Sequence, residues 1–230
     1  MKVLIVGCER SGTTVISKLL STASNSSFLN DPKDSWYIYP LVNIVGVRGF
    51  TLSLISRLWR YDIVKVPGFA TILNELRRVH FRRYKVIYVV RDPRDNIAAI
   101  KERLKKDLNG LYLNVHFLQK SGSSITENIL LRWLSYLRKA REYEKKYPND
   151  IIFVKYEDFL KDKIGTVKLI AEFCNLKFKE ELIEEIKDEQ INKFWSSQIK
   201  GAKRYLTELN TEEIDYINKI AENEIREFNY

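Results

Sequence analysis

The stretch KVLIVGCERSGTT (residues 2–14) decides how the chain is read. Lys2–Val6 is a short β-rich run; Gly7, Cys8, Glu9, Arg10, Ser11 and Gly12 follow at once, and a helical pattern opens at Thr13 and Thr14. A strand, a glycine-containing turn and a helix start, in that order, build a concave anion site. Backbone N–H groups of the turn add to the unpaired N–H groups and the positive dipole end of the helix. Residues 10–14 therefore read as a phosphate-binding loop. The spacing matches the nucleoside-triphosphatase loop GxxxxGK[ST], except that Thr13 stands where the lysine belongs. That lysine reaches the β and γ phosphates. Its replacement, with Arg10 inside the loop instead, points to a single 5′-phosphate whose bridging oxygen gathers charge, a task suited to a permanently ionised, two-pronged guanidinium.

Working outward, β-rich runs at Lys2–Val6, Asp62–Val66, Lys85–Val90 and Ile151–Lys155 alternate with helical patterns. The helical patterns cover Thr13–Ser21, Phe69–Phe81, Pro93–Lys106, Ser124–Tyr147, Glu157–Cys174 and Thr211–Phe228, the last with Thr211 as its expected N-cap. Strands alternating with helices give an α/β fold, a parallel sheet flanked by helices, P-loop-like, with the anion loop after the first strand. Segments 28–60 and 107–124 fit the alternation poorly and are expected to leave the sheet as long connections that carry acceptor specificity or a lid.

The 230 residues, 45% hydrophobic and 30% charged, are enough for one sizeable core, and no Pro/Gly/Ser-rich linker or repeat divides them. A single domain over 1–230 is the expectation. With two Cys and two His there are too few ligands for a disulfide framework or a zinc site, so no metal is expected. Val3–Val6 is too short for a signal-peptide core, and the apolar stretch 36–59 is broken by Arg48 and Arg57 well short of a membrane span. A cytoplasmic location follows as an expectation. The net charge of +9 fits an anionic ligand or surface and equally a solvated basic face.

A second constellation begins where the Lys85–Val90 run ends, at Arg91, Asp92, Pro93, Arg94, Asp95 and Asn96. Ligands of open α/β sheets bind beyond the carboxyl ends of the strands, so Arg91 is expected in the crevice of the first loop, with Pro93 opening the next helix. Taken alone, Arg91 and Arg94 could simply pair with Asp92 and Asp95.

These motifs resemble the sulfotransferase family that uses 3′-phosphoadenosine-5′-phosphosulfate (PAPS), and the resemblance runs through most of the chain. RSGTT (10–14) looks like the family's 5′-phosphosulfate loop, and VIYVVRDPRD (86–95) like its 3′-phosphate strand and helix. IIFVKYEDF (151–159) is similar to the strand whose following tyrosine, here Tyr156, lies near the adenine. DIVKVP (62–67) resembles the strand that brings a lysine, here Lys65, to the active site. SSQIKG (196–201) looks like the segment that closes over the nucleotide. The resemblance implies donor binding by Arg10, Ser11, Gly12, Thr13, Thr14, Arg91, Tyr156, Ser196, Lys200 and Gly201. It implies sulfuryl transfer to a hydroxyl or amine of a small-molecule, glycan, lipid or peptide acceptor, with PAP as product and no nucleic acid as partner.

Two departures stand out. Eight residues after Arg91, where the family has a 3′-phosphate serine, this chain has Ala99; Ser196, Lys200 or Arg94 could compensate. Pro67 occupies the place of the catalytic histidine found in one branch. Another branch uses a carboxylate after the first helix, and Asp31 in FLNDP (28–32) occupies the matching place, with Asp34 as the nearby substitute. Catalysis is expected to rest on Asp31 as base, with Arg10 and Lys65 neutralising charge on the transferring group. His80 and His116 are read as surface residues. The rival readings are a P-loop kinase, for which the loop lysine is missing, and a non-catalytic polyanion-binding module, for which no nucleic-acid motif is present.

Overall fold

The computed structural model describes residues 2–32, 35, 41–42, 46, 56, 58, 60–79, 84–105, 124–184 and 203–230. Among the described residues five strands form one sheet: β1 (Lys2–Gly7), β2 (Phe28–Asn30), β3 (Ile63–Lys65), β4 (Tyr84–Val90) and β5 (Ile151–Lys155). Their order is β2-β3-β1-β4-β5 and every pairing is parallel. The central strands read as unbroken apolar runs because both of their faces are covered. Leu4, Val6, Val86 and Tyr88 point into one core and Val3, Ile5, Ile87 and Val89 into the other.

The second core holds Ile16, Leu20, Phe159 and Ile170, from α1 (Thr13–Ala23), α5 (Tyr156–Lys161) and α6 (Lys163–Phe173). The first is larger. It takes side chains from a 3₁₀ turn (Pro67–Ile72), α2 (Leu73–Val79), α3 (Pro93–Lys105) and α4 (Ile125–Lys146), with Trp133 its largest fully buried residue. The remaining helices are short: α7 (Glu181–Glu184), α8 (Tyr205–Glu208), α9 (Thr211–Ile220) and α10 (Glu222–Glu227). Among the described residues no helix is long and apolar enough to cross a membrane.

Several boundaries differ from the sequence expectations, each for a local reason. Segment 28–60 does not leave the sheet at once: Phe28–Asn30 pairs with Ile63–Lys65 as an edge strand, too short to register as a period-two pattern. The helix expected from Phe69 begins as the 3₁₀ turn, because Pro67 fixes the entry and Thr71 Oγ1 donates to the Gly68 carbonyl at 2.9 Å. The helix expected over 157–174 breaks at Asp162, which leaves helical geometry and accepts the Gly165 N–H at 2.8 Å as the N-cap of α6. Thr211 is not the N-cap of α9. Asn210 is: its Oδ1 accepts the Glu213 N–H at 2.8 Å while Glu213 reaches back to the Asn210 N–H at 3.3 Å, a complete capping box. The last helix also breaks, at Ala221, into α9 and α10.

β1 sits where the chain changes direction across the sheet, with β3 and β2 on one side and β4 and β5 on the other. The loops after β1 and β4 therefore diverge and leave a crevice between their carboxyl ends, the place where open α/β sheets bind ligands.

Candidate active site at the strand ends

The loop after β1 owes its shape to two glycines. Gly7 has φ +147°, and a Cβ there would meet the Val89 carbonyl oxygen at 2.4 Å, because β1 and β4 pair at this level. Gly12 has φ +88° and caps α1; a Cβ there would lie 2.2 Å from the Tyr156 ring. Between them Arg10 adopts φ +66°, unusual for a side-chain-bearing residue and characteristic of ligand-binding turns. Asn96 braces the loop from α3, its Nδ2 donating to the Glu9 carbonyl at 2.7 Å and to Ser11 Oγ at 3.0 Å. α1 then begins with no acidic residue in its first turn and no side-chain cap, so its N-terminal field is left for an external anion.

Arg91 leaves the end of β4 with only 7% of its side chain exposed. Its NH1 donates to the Arg10 carbonyl at 2.9 Å, its guanidinium lies 4.9 Å from the Tyr156 ring centroid, and Asp95 stands 3.9 Å away. Trp133 Nε1 donates to the Arg91 carbonyl at 3.2 Å and holds the backbone from α4. Burial raises the Tyr156 phenol above its ordinary pKa, which the nearby Arg91 charge partly offsets. Tyr156 is thus a neutral flat platform that touches both loops.

Arg94 is not free to replace the missing serine. It grips Asp92 with Nε and NH2, at 2.9 and 2.7 Å, donates to Asn218 at 3.2 Å, and stacks over Tyr205. The pairing that the sequence allowed for both arginines is therefore realised tightly by Arg94 and only loosely by Arg91. Ala99 is buried on the α3 face that carries Asp95 and Glu102. Chain from Lys203 to Tyr205 covers that face: Asp95 accepts the N–H groups of Lys203 and Tyr205 at 2.8 and 3.1 Å, and Glu102 pairs with Arg204 at 2.6 Å. Ser196, Lys200, Gly201, Asp34, His80 and His116 lie outside the described residues.

On the other side of β1, Lys65 ends β3 with its side chain 8% exposed, and its Nζ lies 3.3 Å from Asp31 Oδ2. Asp31 follows β2 directly. Its φ of +42° and the donation of its N–H to the Lys65 carbonyl at 2.8 Å turn its carboxylate back toward the lysine. Ser35 Oγ adds a long contact to Asp31 Oδ1 at 3.5 Å. Two of the three residues expected to be catalytic, named from separate motifs, are thus one ion pair.

Three residues that lie inside the sequence motifs carry supporting roles the sequence did not show. Asn96 is one. Glu157 accepts the Asp92 N–H at 3.1 Å and ties the turn after Arg91 to the start of α5. Glu9, 7% exposed, pairs with Arg132 NH2 of α4 at 2.5 Å. Only the i, i+4 spacing of Arg132 and Tyr136 on an otherwise apolar helix face could have flagged the last one. Among the described residues no three His, Cys, Asp or Glu side chains gather as a metal centre would require.

The model of the sulfotransferase domain matches residues 1–224. No curated protein sequence matches the chain. Among solved structures, the sulfotransferase STF9 from Mycobacterium avium superposes with a TM-score of 0.66 at 12% identity, covering 98% of this chain and 76% of that one. Mouse sulfotransferase SULT7A1, complexed with PAP, gives 0.63 at 12% identity over 98% and 84% of the two chains. Retinol dehydratase in complex with androsterone and PAP gives 0.56 at 18% identity over 97% and 81%. At such identities the structures speak for the fold, whereas the family match spans nearly the whole sequence and includes both loops built above. The chain belongs to the sulfotransferase domain family, as an enzyme with a P-loop-like fold.

Proposed function

We propose that this protein binds PAPS across the ends of β1 and β4 and transfers its sulfuryl group to a hydroxyl or amine of a small-molecule acceptor. The observation that carries this reading is the 2.9 Å bond from Arg91 to the Arg10 carbonyl, which makes one crevice of the two anion-binding elements. The 5′-phosphosulfate rests on residues 10–14 and the first turn of α1, the 3′-phosphate on Arg91, and the adenine near Tyr156. Ser196, Lys200 and Gly201 complete the nucleotide grip in this proposal. That retinol dehydratase was solved in complex with androsterone and PAP supports a small molecule as the acceptor class.

Transfer is an in-line displacement. The acceptor oxygen or nitrogen forms a bond to sulfur as the bond from sulfur to the bridging phosphate oxygen breaks, the acceptor proton passes to Asp31, and PAP departs. Lys65 exchanges Asp31 for the sulfuryl oxygens as charge builds there, while Arg10 neutralises the bridging oxygen. This is catalysis by positioning and fixed charge. We place the reaction in the cytoplasm, in one domain over 1–230, since Cys8 and Cys174 are both buried and unbridged.

Arg91→Ala is the primary test. It should weaken PAP binding by about 10- to 100-fold, as expected for loss of a charge-assisted bond, and weaken adenosine 5′-monophosphate, which loses only the support that Arg91 gives the Arg10 carbonyl, by clearly less. Calorimetry that shows equal losses for both nucleotides removes Arg91 from the 3′-phosphate. Transfer from sulfur-labelled PAPS should also persist in EDTA, and ATP with Mg²⁺ should be a poor donor because Thr13 replaces the triphosphate lysine. Robust chelator-sensitive γ-phosphoryl transfer would replace this reading with a kinase.

A further inference from the structure

The anion loop contains a tight turn. The Ser11 N–H donates to the Cys8 carbonyl at 3.2 Å, which places Glu9 and Arg10 at the two central positions of that turn. Arg10, the second of them, has φ +66°. Turns with a positive φ there take glycine or asparagine by preference, because a Cβ crowds the backbone in the left-handed region. Arginine lacks that freedom, so a neighbouring part of the fold must hold its backbone in this shape.

Two side chains from the segment after β4 do the holding. Asn96, fully buried on α3, donates from Nδ2 to the Glu9 carbonyl at 2.7 Å and to Ser11 Oγ at 3.0 Å. Arg91 NH1 donates to the Arg10 carbonyl at 2.9 Å. The Glu9 carbonyl belongs to the peptide plane before the Arg10 Cα, and the Arg10 carbonyl to the plane after it. Fixing both planes fixes both backbone dihedrals of Arg10. The Glu9–Arg10 peptide is also the central one of the turn, and turning it over is the movement that takes the third residue of a turn from positive to negative φ. Asn96 blocks that movement. Its carboxamide sits only one way round, since the oxygen in place of Nδ2 would repel the Glu9 carbonyl. Oδ1 itself is buried and has no hydrogen-bond partner among the described residues, so the side chain is held by the two bonds it donates. The backbone of Asn96 is anchored separately, its N–H donating to the Asp92 carbonyl at 2.9 Å.

We propose that Asn96 is a positioning residue for the 5′-phosphosulfate, an inference that rests on the donor reading above. It does not touch the donor. It keeps Arg10 left-handed, and the conformation of Arg10 decides both where the guanidinium leaves the loop and the direction in which the chain enters residues 11–14. Without the Asn96 donor the central peptide is free to turn over and Arg10 relaxes to negative φ. The 5′-phosphate then binds only the fraction of molecules that keep the strained form, and affinity falls by that fraction. The 3′-phosphate rests on Arg91, whose own carbonyl is held by Trp133 at 3.2 Å, so the loss should fall on the 5′ side.

Asn96→Leu keeps the volume of the side chain and removes the donor. By calorimetry it should bind adenosine 5′-monophosphate about 5- to 30-fold more weakly, the cost of returning one side-chain-bearing residue to the left-handed region, and adenosine 3′-monophosphate by clearly less. Asn96→Ala, which empties the space instead of filling it, should show the same selective loss. The decisive arm repeats Asn96→Leu in an Arg10→Gly background, where glycine reaches positive φ without help. Arg10→Gly lowers affinity by itself through the missing guanidinium, but adding Asn96→Leu to it should cost about threefold or less, the Ser11 bond being all that remains to lose. Equal fold losses in the two backgrounds, or equal losses for the two monophosphates, overturn the proposal. Failure of the unaltered protein to bind PAP would instead remove the donor reading, and this inference with it.

Discussion

Asp31→Asn is expected to lower turnover by about 10²-fold or more, within the range for loss of a general base, while PAP affinity stays close to the unaltered protein and thermal stability falls, because the nearly buried Lys65 loses its counter-charge. The amide keeps the size of the carboxylate and leaves an oxygen toward Lys65 Nζ, now 3.3 Å from Asp31 Oδ2. It also keeps the Asp31 N–H bond to the Lys65 carbonyl, which is a backbone property. What it loses is the capacity to take a proton at neutral pH. The nucleotide groups Arg91, Tyr156 and residues 10–14 belong to other elements, so donor binding should not follow the loss. Asp34→Asn is the paired control for the base assignment. Acceptors separate the remaining cases: one whose nucleophile is already deprotonated should be insensitive to Asp31→Asn, whereas a neutral alcohol should show the full loss. If both aspartate variants turn over normally with a neutral alcohol, the base lies elsewhere.

The parts of this site that were legible in the sequence are those in which one residue type answers one backbone demand. Gly7 and Gly12 stand where a Cβ would strike Val89 or Tyr156, Pro93 opens α3, and the apolar runs of β1 and β4 follow from burial on two faces. The partners of the charged residues were not legible, because an arginine reads the same whether it meets phosphate or carboxylate. Arg94 could be offered as a substitute for the absent serine at Ala99, yet its guanidinium is spent on Asp92, Asn218 and Tyr205. β2 is three residues long and gains its place only by pairing with β3, a tertiary effect with no local pattern. Asp31 and Lys65 were named from different motifs; that they form one pair depends on the parallel register of those two strands.

Glu9 presents a related problem, since a carboxylate inside an anion-binding loop should repel the ligand the loop is built to hold. The fold answers by turning it toward α4. There Arg132 NH2 meets Oε1 at 2.5 Å, the Tyr136 hydroxyl lies 3.5 Å from the same oxygen, and the Cys8 thiol, kept protonated by burial, points at Oε2 from 3.7 Å. The pair is nearly sealed, at 11% and 9% side-chain exposure. Breaking a buried pair from one side strands a charge, whereas removing both ends does not. Arg132→Met should therefore destabilise the protein by about 3–5 kcal/mol in urea denaturation, and Glu9→Gln together with Arg132→Met should recover most of that. In the fraction that folds, Arg132→Met leaves an uncompensated negative charge beneath residues 10–14, so it should weaken PAP and adenosine 5′-monophosphate alike. That pattern is distinct from the 3′-selective loss expected for Arg91→Ala. A double variant no more stable than Arg132→Met would mean that Arg132 acts through its packing over the Tyr136 ring, 5.2 Å from the centroid, and not through Glu9.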